Sequence, residues 1–193
     1  MRRSNKERSD SMRIALVEAA RELFIEKGYA ETTTPEIVAA AGVTRGALYH
    51  HFEDKKALFR AVIEREAGMV ADEIEIASEA GGGTARDALI LGTGAYFDAM
   101  AERGRTRLLL LDGPAVLGVE AIRQIDAAHA GSSLMEGLAD LFATHEKTPD
   151  RLDILADLLS AAFDRAALSI EAGGSREAYE KAIYALIDGI AVR

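Results

Sequence analysis

Hydrophobic positions recur at helical spacing almost from one end of the chain to the other. Leu16, Ala20, Leu23 and Phe24 stand at i, i+4, i+7 and i+8, one apolar stripe on a first helix. Gly28 offers a left-handed stop directly after Lys27, whose charge suits the negative end of a helix. A second helix starts in Thr32-Thr33-Thr34-Pro35-Glu36: Thr33 and Glu36 have capping-box spacing, and proline is tolerated in a first turn. It turns Ile37, Val38 and Ala41 inward and ends at Gly42. Thr44 caps a third helix reaching about His51. Asp54 caps a fourth, whose apolar positions Leu58/Phe59, Val62/Ile63, Met69/Val70 and Ile74 keep helical spacing for about five turns.

Gly81-Gly82-Gly83 is a flexible break. Beyond it the pattern predicts helices over 84–102, 105–117, 119–146, 149–172 and 175–191. The breakers between them are Gly104, Gly113-Pro114, Pro149 and Gly173-Gly174, and glycines 131 and 137 weaken the third segment. No β-branched run alternates with polar residues, so the predicted fold is all-α. In the 152–171 helix the polar residues Asp153, Asp157, Ser160, Asp164 and Glu171 form one narrow stripe. Nearly everything else there is apolar. The last helix has Tyr179, Ile183, Leu186, Ile187 and Ile190 on one side. A helix packed on one neighbour needs an apolar face only about 100° wide. The wider faces here call either for a second copy of the chain packed on the last two helices (about 150–191), or for a helix buried centrally in its own domain.

Composition changes this picture in one respect. The chain is 49% hydrophobic and 28% charged, as a globular protein is, and it has no cysteine, which removes disulfides and thiolate sites. No signal-peptide core is visible: Ile14-Ala15-Leu16-Val17 meets Glu18 after four residues. The longest uncharged apolar-rich run, Ala88 to Phe97, is about half a membrane span. A soluble, cytoplasmic protein with no membrane partner is expected. The net charge of −9 argues against nucleic acid, but its distribution does not. Residues 1–65 carry 12 Lys/Arg against 10 Asp/Glu; residues 66–193 carry 11 against 22. A slightly basic head on an acidic body points to two modules with different partners.

Two short helices joined by Ala41-Gly42-Val43-Thr44, with small alanines where they cross, match a helix-turn-helix, whose second helix enters the major groove. The stretch Gly28-Tyr29 … Thr32-Thr33 … Ile37 … Ala41-Gly42-Val43-Thr44 … Gly46 … Leu48-Tyr49 … His51-Phe52 … Lys55 … Leu58 resembles the DNA-binding domain of tetracycline-repressor-like (TetR family) regulators. Their pattern is close to T-T-x-x-x-I-A-x-x-A-G-V-S/T-x-G-x-L-Y-x-H-F-x-x-K-x-x-L. The likeness covers about the first 60 residues and departs from the pattern at Val38 and Pro35. In the body, Leu111-Asp112-Gly113-Pro114-Ala115-Val116-Leu117-Gly118 is similar to one group of the family's C-terminal domains.

The resemblance implies a DNA-binding helix-turn-helix domain over 1–65 and a helical effector-binding and dimerisation domain over 66–193. It also implies roles that the residue chemistry supports. Thr33, Thr34 and Thr44, at helix N-termini, offer hydroxyls and backbone N–H groups to phosphates. Gly46 lets the backbone approach DNA. Tyr49 donates its hydroxyl to a phosphate, and Lys55 supplies a charge to the flanking one. Sequence reading falls to Arg45, Ala47 and His50: Arg45 to a guanine, Ala47 to a thymine methyl, His50 to a phosphate or a base. His51 is read as packed or capping, and Phe52 as core. The arm Arg2, Arg3, Lys6 and Arg8 either follows DNA or is a solubilising tail.

For the body, the resemblance implies a pocket for a small ligand that shifts the spacing of two DNA-reading heads. Candidate lining comes from Tyr96, Phe97, Met100, Met135, Phe142 and Phe163, with Arg107, Asp112, Gln124 and His129 as polar handles, suiting a partly apolar organic effector. The expected function is a dimeric repressor on a palindromic operator, released by that effector. A DNA-binding module without an effector is the alternative. No catalytic motif, metal-ligand spacing or cofactor fingerprint is present: adjacent His50 and His51 point about 100° apart, and His129 and His145 lack a completing carboxylate. Neither enzyme activity, metal nor cofactor is expected.

Overall fold

The structure is a computed structural model that describes residues 5–81, 83–143 and 151–191. Arg2, Arg3, Gly82, His145 and Pro149 lie outside them. Every regular element among the described residues is helical: α1 (Asn5–Glu31), α2 (Thr34–Ala40), α3 (Arg45–His51), α4 (Lys55–Ala80), α5 (Ala85–Met100), α6 (Arg105–Arg107), α7 (Gly113–Leu117), α8 (Val119–Ala127), α9 (Ala130–Ala143), α10 (Leu152–Glu171) and α11 (Arg176–Ala191). The all-α expectation holds. The chain divides into two compact units: residues 1–66 with 107–122, and residues 67–106 with 123–193.

In the first unit, Leu16, Ala20 and Phe24 of α1 are fully buried with Ile37, Leu48, Leu58 and Phe59. Phe24, Tyr29 and Phe59 form a ring cluster with centroids 5.1–5.8 Å apart. Gly28 kinks the end of α1 at φ 81°, a conformation that glycine adopts without the cost a Cβ incurs. The buried Thr32 hydroxyl holds the kink by donating to the Gly28 carbonyl at 2.8 Å. Arg21 forks onto Glu66, Nε to Oε1 at 2.8 Å and Nη2 to Oε2 at 3.2 Å, so this nearly buried carboxylate is paired.

The predicted segment 105–117 is not one α-helix. Between α6 and α7, residues Leu108–Asp112 form a π-turn in which the Gly113 N–H reaches the Leu108 carbonyl. Pro114 has no N–H to give the Leu110 carbonyl, so the wider register takes over beside it. The predicted segment 119–146 is likewise divided, at residues 128–129, into α8 and α9. A Cβ on Gly131 would stand 2.9 Å from the Asp126 carbonyl, so only glycine fits where α9 starts against the end of α8.

In the second unit, α5, α9, α10 and α11 pack around Phe97, Met100, Leu138, Phe142, Leu159, Phe163, Ile183 and Ile187, all buried. Arg105, 2% exposed, closes the end of α5 by donating to the Ala99 carbonyl at 2.7 Å and facing Glu73. The polar stripe of α10 does not simply face solvent. Ser160 and Asp164 turn inward to Asp126 and Tyr96, while Ile154 and Leu158 stay 44% and 63% exposed. Burying two polar groups is tolerated because each finds a partner.

Candidate nucleic-acid interface and helical cavity

The helix-turn-helix is built by caps at both starts. Glu36 reaches back to the N-cap of α2, where its Oε2 accepts from the Thr33 N–H at 2.9 Å and the Thr33 hydroxyl at 2.8 Å. Lys27 lies 2.6 Å from the same carboxylate's other oxygen, and these contacts, led by Lys27, hold Glu36 at about 2. Thr33 is exposed, and its hydroxyl and N–H already serve this cap. In α3 the Thr44 hydroxyl accepts from the Ala47 N–H at 3.2 Å. Gly42, at φ 65°, makes the turn between the two helices.

Leu48 is fully buried and anchors α3, leaving Thr44, Arg45, Gly46, Tyr49 and His50 exposed and Ala47 half-buried. The Arg45 guanidinium sits 5.5 Å from the centre of the Tyr49 ring, one helical turn away. Hydrogen bonds with Arg45 and Thr34 hold the Tyr49 phenol below its ordinary value. The half-buried Thr34 and the exposed Arg45 and Tyr49 thus form one polar cluster joining the start of α2 to α3. Gly46 has no positive φ, and a Cβ built on it would meet nothing closer than the Thr44 hydroxyl at 3.9 Å. Nothing among the described residues requires glycine there.

Lys55 is oriented differently from the phosphate role expected of it. Its ammonium donates to the Tyr29 and Thr32 carbonyls, both at 2.8 Å, and lies 4.3 Å from the Tyr29 ring centre. It ties the start of α4 to the unsatisfied carbonyls at the end of α1. The His50 and His51 rings are in edge contact, 5.2 Å apart, rather than fully separated. His51 is half-buried beside Phe52, and its Nε2 has no hydrogen-bond partner; burial, with His50 and Arg13 nearby, lowers its pKa.

In the second unit a cavity of about 450 Å³ lies among α4, α5, α9 and α10 and the end of α8. Of the pocket candidates, Tyr96 and Phe163 line it. Met135 lines a second cavity of about 560 Å³, which shares Asp126, Ser132, Glu136 and Ser160 with the first. The other pocket candidates line neither. Phe97, Met100 and Phe142 are core. Gln124 is exposed on α8, and the His129 ring stands against Gly68 of α4. Arg107 and Asp112 belong to the first unit, where they form an ion pair at 3.2 Å.

The sequence reading missed the acids of this cavity. Asp126 accepts from the Ser160 hydroxyl at 3.2 Å, and burial raises its pKa. Asp164 accepts from the Tyr96 hydroxyl at 2.9 Å, and burial, with Asp126 nearby, pushes it up to about 6. The narrow polar stripe of α10 carries Ser160 and Asp164, but the acids that line the 450 Å³ cavity come from α4, α8 and α9, and Asp164 is outside its lining.

Comparison with known proteins agrees with this arrangement. Residues 16–62 match the model of bacterial regulatory proteins of the tetR family, and residues 86–191 match that of the tetracyclin repressor-like C-terminal domain. The chain is 46% identical over 65 residues to the HTH-type transcriptional repressor BepR of Brucella suis, a match covering 34% of the chain and 31% of that relative. It is 26% identical over 149 residues to the transposon Tn10 TetC protein of Escherichia coli, covering 77% of the chain and 75% of that protein. A TetR-family transcriptional regulator from Pectobacterium atrosepticum superposes with a TM-score of 0.70 at 28% identity, covering 96% of this chain and 94% of the other. The C-terminal match alone spans more than half of the chain, and the helix-turn-helix match accounts for most of the remaining fold: the chain belongs to the tetracycline-repressor-like family and is a TetR-family DNA-binding transcriptional regulator.

Proposed function

We propose that the protein is a homodimeric repressor that binds a palindromic operator and leaves it when a small organic molecule occupies the cavity of its second unit. The observation that carries the DNA contact is the exposed face of α3. Thr44, Arg45, Gly46, Tyr49 and His50 stand out on a helix whose Leu48 is fully buried, and its glycine has no internal purpose. In this reading Arg45 leaves the Tyr49 ring for a guanine edge, and Ala47 and His50 complete the base contacts. Tyr49, Thr34 and Thr44 take phosphates, joined by Thr33 where a phosphate displaces the Glu36 cap. Lys55 acts mainly through the fold, by holding the end of α1.

Pairing through α10 and α11 is supported by Ile154, Leu158 and Leu186, which are 44%, 63% and 48% exposed. An isologous contact would cover them twice over. The cavity favours an effector-responsive repressor over a constitutive binding module. Its wall includes Ile74, Ser78 and Glu79 from α4, the helix that begins at Lys55 beside the helix-turn-helix. A ligand bound there shifts DNA affinity only by its preference for the DNA-incompetent state, typically about 1–3 kcal/mol.

Selection of bound sequences from random duplex DNA tests the reading. A palindrome with half-sites about one or more helical turns apart is expected. Arg45→Ala should relax preference at one base position per half-site. A non-palindromic or sequence-independent pool would overturn the proposal.

A further inference from the structure

The charge on the wall of the 450 Å³ cavity has one sign. Glu75 and Glu79 come from α4, Asp126 from the end of α8, and Glu136 and Asp140 from α9. No Lys, Arg or His stands among the described residues that line it. The adjoining cavity adds Arg123 but also Asp153 and Asp157, so the joint space remains acidic. The His129 ring acts on Asp126 from outside the lining. The aromatic floor is prearranged: the Tyr96 and Phe163 rings meet edge to face at 5.2 Å. The Tyr96 hydroxyl is donated to Asp164 and so is not offered to an anionic ligand.

We infer that the effector is an organic cation, an amine or quaternary ammonium on an apolar body, with its charge at Asp126 and its body against Tyr96 and Phe163. Three features select this class. A carboxylate or phosphate ligand would meet the half-buried Asp126 and four exposed carboxylates of the same sign, with no cation among the described lining residues. A neutral ligand would add no positive charge beside the Asp126 carboxylate, whose ionised form burial disfavours. A bare metal ion is unsuited: among the described residues no three His, Cys, Asp or Glu side chains converge on a point that could hold one. An ammonium suits both parts of the wall, because aromatic faces and carboxylates each attract it. This inference rests on the effector reading above and adds the chemistry of its ligand.

The test uses three probes with one body and different heads: 4-phenylbutylamine, 4-phenylbutanol and 4-phenylbutyrate, each titrated into the full chain at pH 7 by calorimetry. The amine should bind at least tenfold more tightly than the alcohol, and the carboxylate should not bind. Asp126→Asn should remove the amine's advantage and leave the alcohol's affinity unchanged. Phe163→Leu should weaken amine and alcohol alike; circular dichroism checks that both variants fold. Equal binding of amine and alcohol, preference for the carboxylate, or no binding of the amine at millimolar concentration would each overturn the inference. Fluorescence anisotropy of labelled operator, read in parallel, separates the two proposals. An amine that binds without releasing DNA defeats the effector role and leaves the ligand class standing. Release by the carboxylate or alcohol alone defeats the ligand class and leaves the effector role.

Discussion

Replacing Gly46 with alanine separates folding from DNA binding more cleanly than any other change in α3. Gly46 lies in the first turn of the helix at negative φ, and the added Cβ would have 3.9 Å to its nearest neighbour, the Thr44 hydroxyl. The isolated protein therefore has no steric reason to resist. Alanine in a helix is favoured over glycine by about 0.5–1 kcal/mol. For a chain of this size that corresponds to a melting temperature about 1–4 °C higher. If the Gly46 backbone lies against a phosphate or base, the same methyl holds the DNA away and loses at least one charge-assisted hydrogen bond per half-site. Such a bond contributes about 1.5–3 kcal/mol, so operator affinity should fall at least tenfold. Anisotropy with the selected operator and calorimetric melting of the free protein provide the two readings. An unchanged operator affinity would refute the reasoning, and so would a lower melting temperature, which would mean that the glycine serves the fold after all.

Lys55→Met keeps the aliphatic stem and removes the ammonium from the Tyr29 and Thr32 carbonyls. Stability should fall by about 1–3 kcal/mol, with weaker binding to every DNA sequence alike. Unchanged melting combined with a salt slope smaller by about 0.9 would instead mean that Lys55 contacts a phosphate. Leu158→Glu puts a charge on the exposed apolar face that α10 shares with Ile154 and should convert the proposed dimer to monomer in sedimentation; a dimer that persisted would move the interface elsewhere. Asp164 titrates at about 6, against 3.8 for an unperturbed aspartate, so between those values the folded state holds more protons than the unfolded chain. Stability relative to Asp164→Asn should therefore decline as pH rises from about 4 to 6 and stay lower above that, by an amount on the order of 3 kcal/mol. A pH-independent difference in denaturant midpoints would show that Asp164 is not held in this way.

Much of the helix-turn-helix was legible in the chain because its determinants are local. A capping box needs only Thr33 and Glu36 three residues apart, and the Thr44 and Asp54 caps depend on the same short spacing. The buried face of α1 follows from a period of 3.6 residues. The π-turn before Pro114 was less visible, since a missing donor permits several local registers and packing selects among them. The break at residues 128–129 has no breaker of its own in the sequence, and Gly131 and Gly137, which weaken the predicted 119–146 segment, lie beyond it. Gly131 marks where two backbones approach, not where the helix ends.

The side chains of the cavity belong to the other class. Asp126 and Ser160 are 34 residues apart, and Tyr96 and Asp164 are 68. No spacing rule links them, so the inward turn of Ser160 and Asp164 depended on which helices came to lie beside α10. The same holds for Lys55, whose ammonium met carbonyls at the end of α1 that a linear reading could not bring within 2.8 Å. Periodicity and caps act within a few residues and already specify an all-α chain with a helix-turn-helix. The partner of each buried charge is a matter of tertiary packing, because desolvation penalises an ionised side chain until a distant segment supplies its hydrogen bond.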